Sequence, residues 1–328
     1  MSVSHYFEKK NLKKVFAISK KRFTFAVYYY SDTLKRKVMI EIKNLCFGYK
    51  KSKNVLENVN LNLKRGCIHG LFGKNGVGKT TLLKLIGGLV FPDSGEIKVG
   101  TFTPSERKVA FLSDLFFLPE ELFELNITID KFVKLNSVFY PNFSKSDFEN
   151  YLQEFEISNT KQKLKKLSYG TKKKVLISFG LACHCKLLLF DEPTNGLDIP
   201  SKSQFRKVML QAMTDETCVV ISTHQVRDLH NLIDSVLILD DTNVLLNADG
   251  LEICNKLFFG TSNKVQSNEK LLYTEDSATG VQFVKENTEN EESELNIELL
   301  FNAAFSNKTR IKELFPQTDN AKGEENGI

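Results

Sequence analysis

Apolar residues along the chain fall into short runs, and the order of these runs predicts alternating strands and helices. Residues 39–42 (Met-Ile-Glu-Ile) alternate as a half-buried strand does, and residues 67–72 form an apolar strand before a glycine-rich loop. Residues 81–86 follow with helical spacing. Three further apolar runs are continuous, as expected for strands covered on both faces, at 187–190, 219–222 and 236–239. The alternation predicts a mainly parallel sheet with helices on both sides.

The pattern changes in the middle of the chain and again near its end. Residues from about 115 to 182 are rich in Phe, Lys and Glu at helical spacing, which predicts a helical subdomain inserted into the α/β core. Beyond the last apolar run the signals weaken, so we predict a C-terminal extension over residues 248–328. It contains an acidic linker at 285–294, one amphipathic helix at 297–315 and a disordered end from Gln317.

The first 38 residues differ from the rest in composition. They hold ten Lys and Arg against two Asp and Glu, a charge of +8, which leaves −3 for the remainder of a chain whose formal net charge is +5. This basic N-terminal extension fits a membrane-surface arm or an added strand or loop. The interpretation we favour is that translation starts at Met39 and that residues 1–38 are not translated. Because the remainder is nearly neutral, we expect no nucleic-acid partner.

Composition places the chain among globular proteins of ordinary type. It has 328 residues, of which 41% are hydrophobic and 26% charged. No apolar run approaches the roughly 18–20 residues of a membrane helix, and no secretory signal is evident, so we expect a cytosolic protein. The six cysteines are scattered, and the spacing of Cys183 and Cys185 around His184 is too short for the usual metal-binding pair.

The loop after the strand at 67–72 fits the pattern Gly, four residues, Gly-Lys-Ser/Thr. Its residues are Gly73, Lys74, Asn75, Gly76, Val77, Gly78, Lys79 and Thr80. Thr81, the next residue, is a further candidate for binding the nucleotide. Glycines let main-chain N–H groups approach phosphate, and the next helix directs its N terminus at the same oxygens. Lys79 would contact the β- and γ-phosphates, and the Thr80 hydroxyl would ligate Mg²⁺. The alternative is a glycine-rich turn that binds nothing, which the flanking strand and helix disfavour.

Two acids and a histidine follow other strands. Asp191 and Glu192 come directly after the apolar run at 187–190, and ligands of open α/β sheets bind at that edge. Asp191 could hold Mg²⁺, and Glu192 could act as the general base on an attacking water. His224 closes another strand, where it could hydrogen-bond the γ-phosphate and fix the attacking water; a structural histidine is the alternative.

Together these motifs resemble those of the ABC ATPase family, over about residues 39–247. Residues 167–171 (Leu-Ser-Tyr-Gly-Thr) are similar to the family signature Leu-Ser-Gly-Gly-Gln, and residues 195–198 (Asn-Gly-Leu-Asp) are similar to its D-loop. Tyr49 matches the aromatic residue that stacks on adenine. The resemblance implies a P-loop NTPase (RecA-like) α/β core with a small antiparallel β subdomain and an inserted α-helical subdomain, and it implies ATP and Mg²⁺ as cofactors.

The resemblance also implies roles for single residues. Asp191 and Glu192 match the Walker B acids, and His224 matches the switch histidine. Ser168 and Gly170 match residues that reach the γ-phosphate held by an opposite cassette.

The chain departs from the family pattern at two places. Tyr169 replaces the first glycine of the signature, and Thr171 replaces its glutamine. Asp114, in the segment 111–114, stands where we expect the family's Q-loop glutamine. A carboxylate there could touch Mg²⁺ through a water, which places Asp114 among the candidate metal residues.

The resemblance further implies a motor built from two cassettes, a homodimer or a pair of close paralogues, that face each other head to tail. Such single cassettes usually drive a separately encoded transmembrane permease, and similarity to efflux cassettes favours export. The protein would then be cytoplasmic and peripheral on the inner face of the cell membrane. Two alternatives are a soluble ABC ATPase that remodels a protein or nucleic-acid assembly, and a cassette that binds ATP as a regulatory module.

Overall fold

The computed structural model describes residues 37–50, 53–229, 231–262 and 271–316. The chain divides into two units, Met1–Lys37 and Val38–Ile328, and every element below belongs to the second. The predicted extension at 1–38 and the predicted disordered end from Gln317 therefore lie almost entirely outside the described residues. Within the described part of the chain, no helix is both long and apolar enough to cross a membrane.

A small antiparallel sheet forms the first layer. Its strands are β1 (Val38–Phe47), β2 (Leu56–Lys64) and β4 (Ser94–Val99), in the order β2-β1-β4. Burial alternates along β1, with Ile40 and Ile42 in the core, as the alternating sequence predicts. This sheet confirms the predicted antiparallel β subdomain.

The second sheet has six strands and forms the centre of the fold. They are β3 (Cys67–Phe72), β5 (Leu115–Leu118), β6 (Leu187–Asp191), β7 (Cys218–Ser222), β8 (Ser235–Asp240) and β9 (Asn243–Asp249). Their order is β5-β6-β7-β3-β8-β9, and every pair is parallel except β8 with β9. Strands β3, β6 and β7 are buried throughout, which explains the continuous apolar runs in β6 and β7. The predicted parallel sheet is confirmed.

Helices connect and cover these strands. They are α1 (Lys79–Ile86), α2 (Val109–Leu112), α3 (Ile129–Asn136), α4 (Lys145–Glu154), α5 (Tyr169–Ala182), α6 (Ile199–Ala212) and α7 (Gly250–Lys256). Helices α3, α4 and α5 form the helical insertion, and a side-chain oxygen caps each of them, from Thr128, Ser144 and Ser168. The insertion begins later than the predicted residue 115, because residues 115–118 are strand β5.

The core of the helical insertion is built from aromatic rings around Phe179. Its ring centroid lies 5.1 Å from that of Phe132, 5.3 Å from Phe143, 5.8 Å from Tyr140 and 6.4 Å from Phe148. The rings meet in tilted or edge-to-face arrangements, which are the favourable ones for aromatic pairs. These contacts give the insertion a packed interior of its own.

The C-terminal residues form a second small antiparallel sheet and two helices. The strands are β10 (Leu257–Ser262), β11 (Leu271–Ser277) and β12 (Gly280–Glu286), in the order β10-β12-β11, and the helices are α8 (Ile297–Ser306) and α9 (Lys308–Leu314). The sequence predicts one helix here. The structure divides it at Asn307, whose backbone is not helical and whose side chain bonds to the Leu272 carbonyl.

Candidate functional site

Three glycines shape the loop between β3 and α1. Gly73, Gly76 and Gly78 have φ values of 154°, 80° and 108°, which residues with a Cβ rarely adopt. Lys74 and Asn75 are exposed between them. The loop therefore presents its main chain to solvent at the N terminus of α1.

Lys79 is the buried cation of this loop. Its Nζ donates to the Gly73 carbonyl at 2.8 Å and to the Lys74 carbonyl at 3.2 Å, and Val77 in the same loop is half-buried. Burial lowers the pKa of Lys79, and the nearby charges of Glu192, Asp191 and Glu120 oppose that effect. The ammonium thus faces several carboxylates across the site.

Thr80 and Asp191 meet as the phosphate-loop pattern predicts. The Thr80 hydroxyl donates to Asp191 Oδ2 at 2.7 Å, while Ser222 at the end of β7 donates to Asp191 Oδ1. The carboxylate is buried and shared between two hydroxyl groups. Sequence reasoning did not single out Ser222, although its place at the end of the strand beside β6 could have identified it.

Glu192 is buried and held in an unusual backbone conformation. Its φ of 47° lies in the left-handed region, and its N–H donates to the Ser222 carbonyl at 3.0 Å. Glu192 Oε1 accepts from the His224 main-chain N–H at 3.0 Å, and His224 Nδ1 lies 2.8 Å from the same oxygen. Within the described residues, Glu192 Oε2 is buried without a hydrogen-bond partner. One oxygen of this carboxylate is therefore oriented and the other is unengaged.

Tyr49 borders the helix that follows the phosphate loop. Its hydroxyl lies 3.3 Å from the Thr81 Oγ1, and its ring meets Phe47 edge-on at 5.0 Å between centroids. The side chain remains 59% exposed, so much of the ring is accessible from solvent.

Ser168 and Gly170 lie at the start of α5. The Ser168 Oγ accepts from the Thr171 N–H at 3.1 Å and caps the helix. A Cβ on Gly170 would come within 2.6 Å of the Gly196 carbonyl, so this turn packs tightly on residues 195–198. The signature-like segment and the D-loop-like segment are thus adjacent in one chain.

The structure contradicts the predicted metal role of Asp114. Asp114 precedes β5, so it lies at the amino ends of the parallel strands, whereas Asp191 lies at the carboxyl end of β6. The two positions are separated by about 16 Å along the strand, because Asp114 lies level with Lys186. Asp114 Oδ1 accepts from the Lys186 N–H at 2.8 Å and Oδ2 lies 3.2 Å from Lys186 Nζ, so both oxygens bind the start of β6.

Glu120 occupies the place that the sequence analysis gave to Asp114. It follows β5 at the carboxyl edge, its Oε1 accepts from Asn195 Nδ2 at 3.2 Å, and its charge acts on Lys79. The error arose because residues 109–112 look like the end of a strand but form α2, with Val109 82% exposed. The signal that could have found Glu120 is the apolar run 115–118 followed by Pro-Glu.

Helix α8 of the C-terminal region borders the same edge. The Lys74 Nζ lies 5.0 Å from the Phe305 ring centroid. Glu298 accepts two bonds from the Arg227 guanidinium, at 2.7 and 2.9 Å, and Arg227 follows His224 by three residues. No pattern in the sequence predicted these contacts.

The fold and the loop define a P-loop NTPase, and the order of its motifs is that of an ABC ATPase. The sequence model of the ABC transporter family matches residues 56–195. The chain belongs to the ATP-binding proteins of ABC transporters, which are P-loop ATPases that bind ATP, as the resemblance predicted.

Individual relatives agree with that assignment. The ABC transporter ATP-binding protein YtrB of Bacillus subtilis is 31% identical over 213 residues, covering 63% of this chain and 72% of YtrB. The lantibiotic transport ATP-binding protein SrtF of Streptococcus pyogenes is 29% identical, covering 67% of this chain and 96% of SrtF. A solved ATP-binding subunit of an ABC transporter is similar with a TM-score of 0.58 and 27% identity, over 64% of this chain and 90% of that one.

Proposed function

We propose that the chain hydrolyses ATP on the phosphate loop with Glu192 as general base, and that this reaction drives a separate transmembrane subunit in export. The observation that carries the proposal is the state of the Glu192 carboxylate. It is buried at the carboxyl edge beside Lys79, His224 orients one oxygen, and the other oxygen has no partner within the described residues. A buried oxygen without a partner is costly unless a ligand or water completes it.

The loop and Lys79 bind the triphosphate. Main-chain N–H groups of residues 73–80 and the N terminus of the eight-residue helix α1 face the anion. On binding, Lys79 exchanges its two carbonyl contacts for contacts with β- and γ-phosphate oxygens. Thr81, in the same helical turn, also contacts the nucleotide. Tyr49 supplies its exposed ring for stacking on the adenine.

The residues around Asp191 fit a magnesium ion. Thr80 and Asp191 contribute a hydroxyl and a carboxylate, which are the hard oxygen ligands that Mg²⁺ prefers. When bound, the ion would neutralise charge on the β- and γ-phosphates. Ser222 holds the second Asp191 oxygen and so keeps the carboxylate oriented.

Glu192 and His224 complete the reaction. Glu192 Oε2 accepts a proton from water as the water oxygen bonds to the γ-phosphorus and the bond to the β–γ bridging oxygen breaks. ADP and phosphate are the products. The Nδ1–H of His224 donates to Glu192 Oε1, and its ring, 41% exposed, reaches outward toward the γ-phosphate.

A second cassette supplies the remaining contacts to the phosphate. Ser168 and Gly170 stand at the N terminus of the 14-residue helix α5, whose dipole favours an anion. Tyr169 replaces a family glycine between them, and its hydroxyl donates to the Glu120 carbonyl of the same chain. We propose a dimer in which each α5 N terminus faces the ATP of the other copy.

An apolar groove offers the docking site for the membrane subunit. It encloses about 900 Å³ between α2, β5 and the start of the helical insertion. Four apolar side chains along it are exposed: Phe123 at 83%, Val109 at 82%, Phe139 at 67% and Leu89 at 44%. An apolar patch of this kind is unusual on a protein without a partner, and it fits a short cytoplasmic helix of a permease. The chain would then sit on the inner face of the membrane through that subunit.

Two measurements test the proposal. Glu192→Gln should bind MgATP as tightly as the parent and lose turnover by at least about 100-fold, because general-base removal costs 10²–10⁴. Normal turnover in Glu192→Gln would refute the assignment of the base.

The second measurement is affinity isolation of the full chain from native membranes. We expect a polytopic membrane protein to co-purify, and Phe123→Asp to lose it, while Leu210→Asp, an exposed apolar control outside the groove, retains it. Recovery of a soluble protein or nucleic-acid assembly instead would replace the transporter function with the remodelling one.

A further inference from the structure

Lys173 on α5 is a cation buried in an unusual place. Its side chain is fully buried, and its Nζ donates to the main-chain carbonyl of Glu192. The ring of Tyr169 lies 5.1 Å from the same nitrogen. Among the described residues, Lys173 forms no ion pair with a carboxylate. The two neighbouring lysines, Lys172 and Lys174, are only half-buried.

Burying an ammonium group without a paired carboxylate is unfavourable. Burial lowers the pKa of Lys173 to about 8, although the charges of Glu120, Glu192 and Asp191 oppose the shift. A methionine of similar length would fill this space without that cost. Packing alone therefore does not explain a lysine at this position.

The carbonyl that Lys173 holds belongs to a strained residue. Glu192 has φ of 47°, in the left-handed region that is unfavourable for a residue with a side chain. Ser222 fixes the N–H of Glu192 from one side, and Lys173 fixes its carbonyl from the other. In this backbone conformation, held at both ends, one carboxylate oxygen meets His224 and the other has no partner within the described residues.

We propose that Lys173 is a positioning residue for ATP hydrolysis: its ammonium holds the Glu192 main chain so that the carboxylate meets the attacking water. The inference rests on the proposed role of Glu192 as general base. Lys173 acts through Glu192 and does not touch the nucleotide. Because Lys173 lies on helix α5 and Ser168 caps that helix, the same contact also connects the signature segment to the base within one chain.

The test compares Lys173→Met with Lys172→Met in the full-length chain. Lys173→Met should lower kcat at least tenfold while KM and the Kd for ATP change by less than about twofold, because the binding loop is untouched. Its melting temperature should equal or exceed that of the parent. A role in stability alone would instead lower the melting temperature. Lys172→Met, on the same helix, should match the parent in every measurement.

Two further variants make the result decisive. Lys173→Gln keeps a hydrogen-bond donor and should retain more turnover than Lys173→Met. If the methionine variant does not fold, the glutamine variant is compared with the parent instead. In single-turnover assays, adding Lys173→Met to Glu192→Gln should lower the residual rate no further, because the two residues act as one unit. Additive losses in that double variant would overturn the proposal.

The failure of this inference is distinguishable from failure of the proposed function. If Glu192→Gln is inactive and Lys173→Met keeps the parent kcat, only the role of Lys173 is refuted. If Glu192→Gln hydrolyses ATP normally, the assignment of the base is refuted whatever Lys173→Met does.

Discussion

The two edges of the six-stranded sheet hold the same kinds of residue and use them differently. At the carboxyl edge, Asp191 and Glu192 are buried beside Lys79, and one carboxylate oxygen lacks a partner within the described residues. At the amino edge, Asp114 bonds with both oxygens to Lys186, which is half exposed. An acid and a lysine belong to the proposed catalytic site at one edge and to a structural contact at the other.

The difference follows from strand direction. Parallel strands bring their carboxyl ends to one edge, where the loop after β3 and the N terminus of α1 create a site for an anion. The amino edge has no such loop among the described residues, so Asp114 satisfies its oxygens with the start of β6. Position relative to the strand therefore decides the role of an acid more than residue type does.

The largest expected effect comes from removing the buried lysine of the carboxyl edge. Lys79→Ala should lower turnover at least about 100-fold and weaken ATP binding about tenfold, because it removes a charge on the phosphates. Steady-state hydrolysis and nucleotide titration would measure both. Lys186→Ala is the matched control at the amino edge and should stay within about twofold of the parent in both; equal losses in the two variants would erase the distinction between the edges.

Removing the Glu120 carboxylate should give the next largest effect, and removing that of Asp114 should not. Glu120→Ala should lower turnover about tenfold and change its Mg²⁺ dependence, because Glu120 faces Lys79 and holds Asn195. Asp114→Ala should leave the Mg²⁺ titration of the ATPase unchanged. Should Asp114→Ala shift that titration and Glu120→Ala not, our correction of the sequence prediction would be wrong.

The buried ammonium group of Lys173 should make the free energy of unfolding depend on pH. The pKa of Lys173 falls from 10.5 to about 8 on folding, so between these values the unfolded chain binds more protons than the folded chain. The free energy of unfolding should therefore rise with pH from about 8 to 10.5, relative to Lys173→Met, by up to about 3 kcal/mol. Denaturant titrations at several pH values would show it, with Lys186→Met as the exposed control. A constant difference between parent and Lys173→Met would contradict the burial of a charged amine.

The smallest effect concerns the stability of the amino edge. Asp114→Ala should cost about 1 kcal/mol of unfolding free energy, because it removes the bond to the Lys186 N–H and a partly exposed ion pair. Chemical denaturation would measure the loss. A neutral result would mean that water replaces these contacts without cost.

Contiguous motifs were predictable from the sequence, and contacts across the fold were not. Residues 73–80 form their loop within one segment, and Asp191 and Glu192 follow an evident strand, so local spacing sufficed. The prediction of Asp114 as the Q-loop residue was wrong because residues 109–112 resemble the end of a strand but form a helix. The actual strand, 115–118, lies in a Phe-rich region.

Other features depend on packing between distant segments. Lys173 is one of three consecutive lysines, and only the tertiary fold buries it alone on Glu192. The C-terminal sheet has weakly alternating strands, and the helix break at Asn307 arises from its bond to the Leu272 carbonyl. No local sequence pattern predicts the burial of Lys173 or the helix break at Asn307.

The most direct test of this account is a structure of the Glu192→Gln variant with MgATP. We predict the γ-phosphate within hydrogen-bond distance of Lys79 Nζ, the metal on Thr80 and Asp191, and Asp114 still bonded to Lys186. A nucleotide bound away from residues 73–80, or a metal held by Asp114, would contradict it.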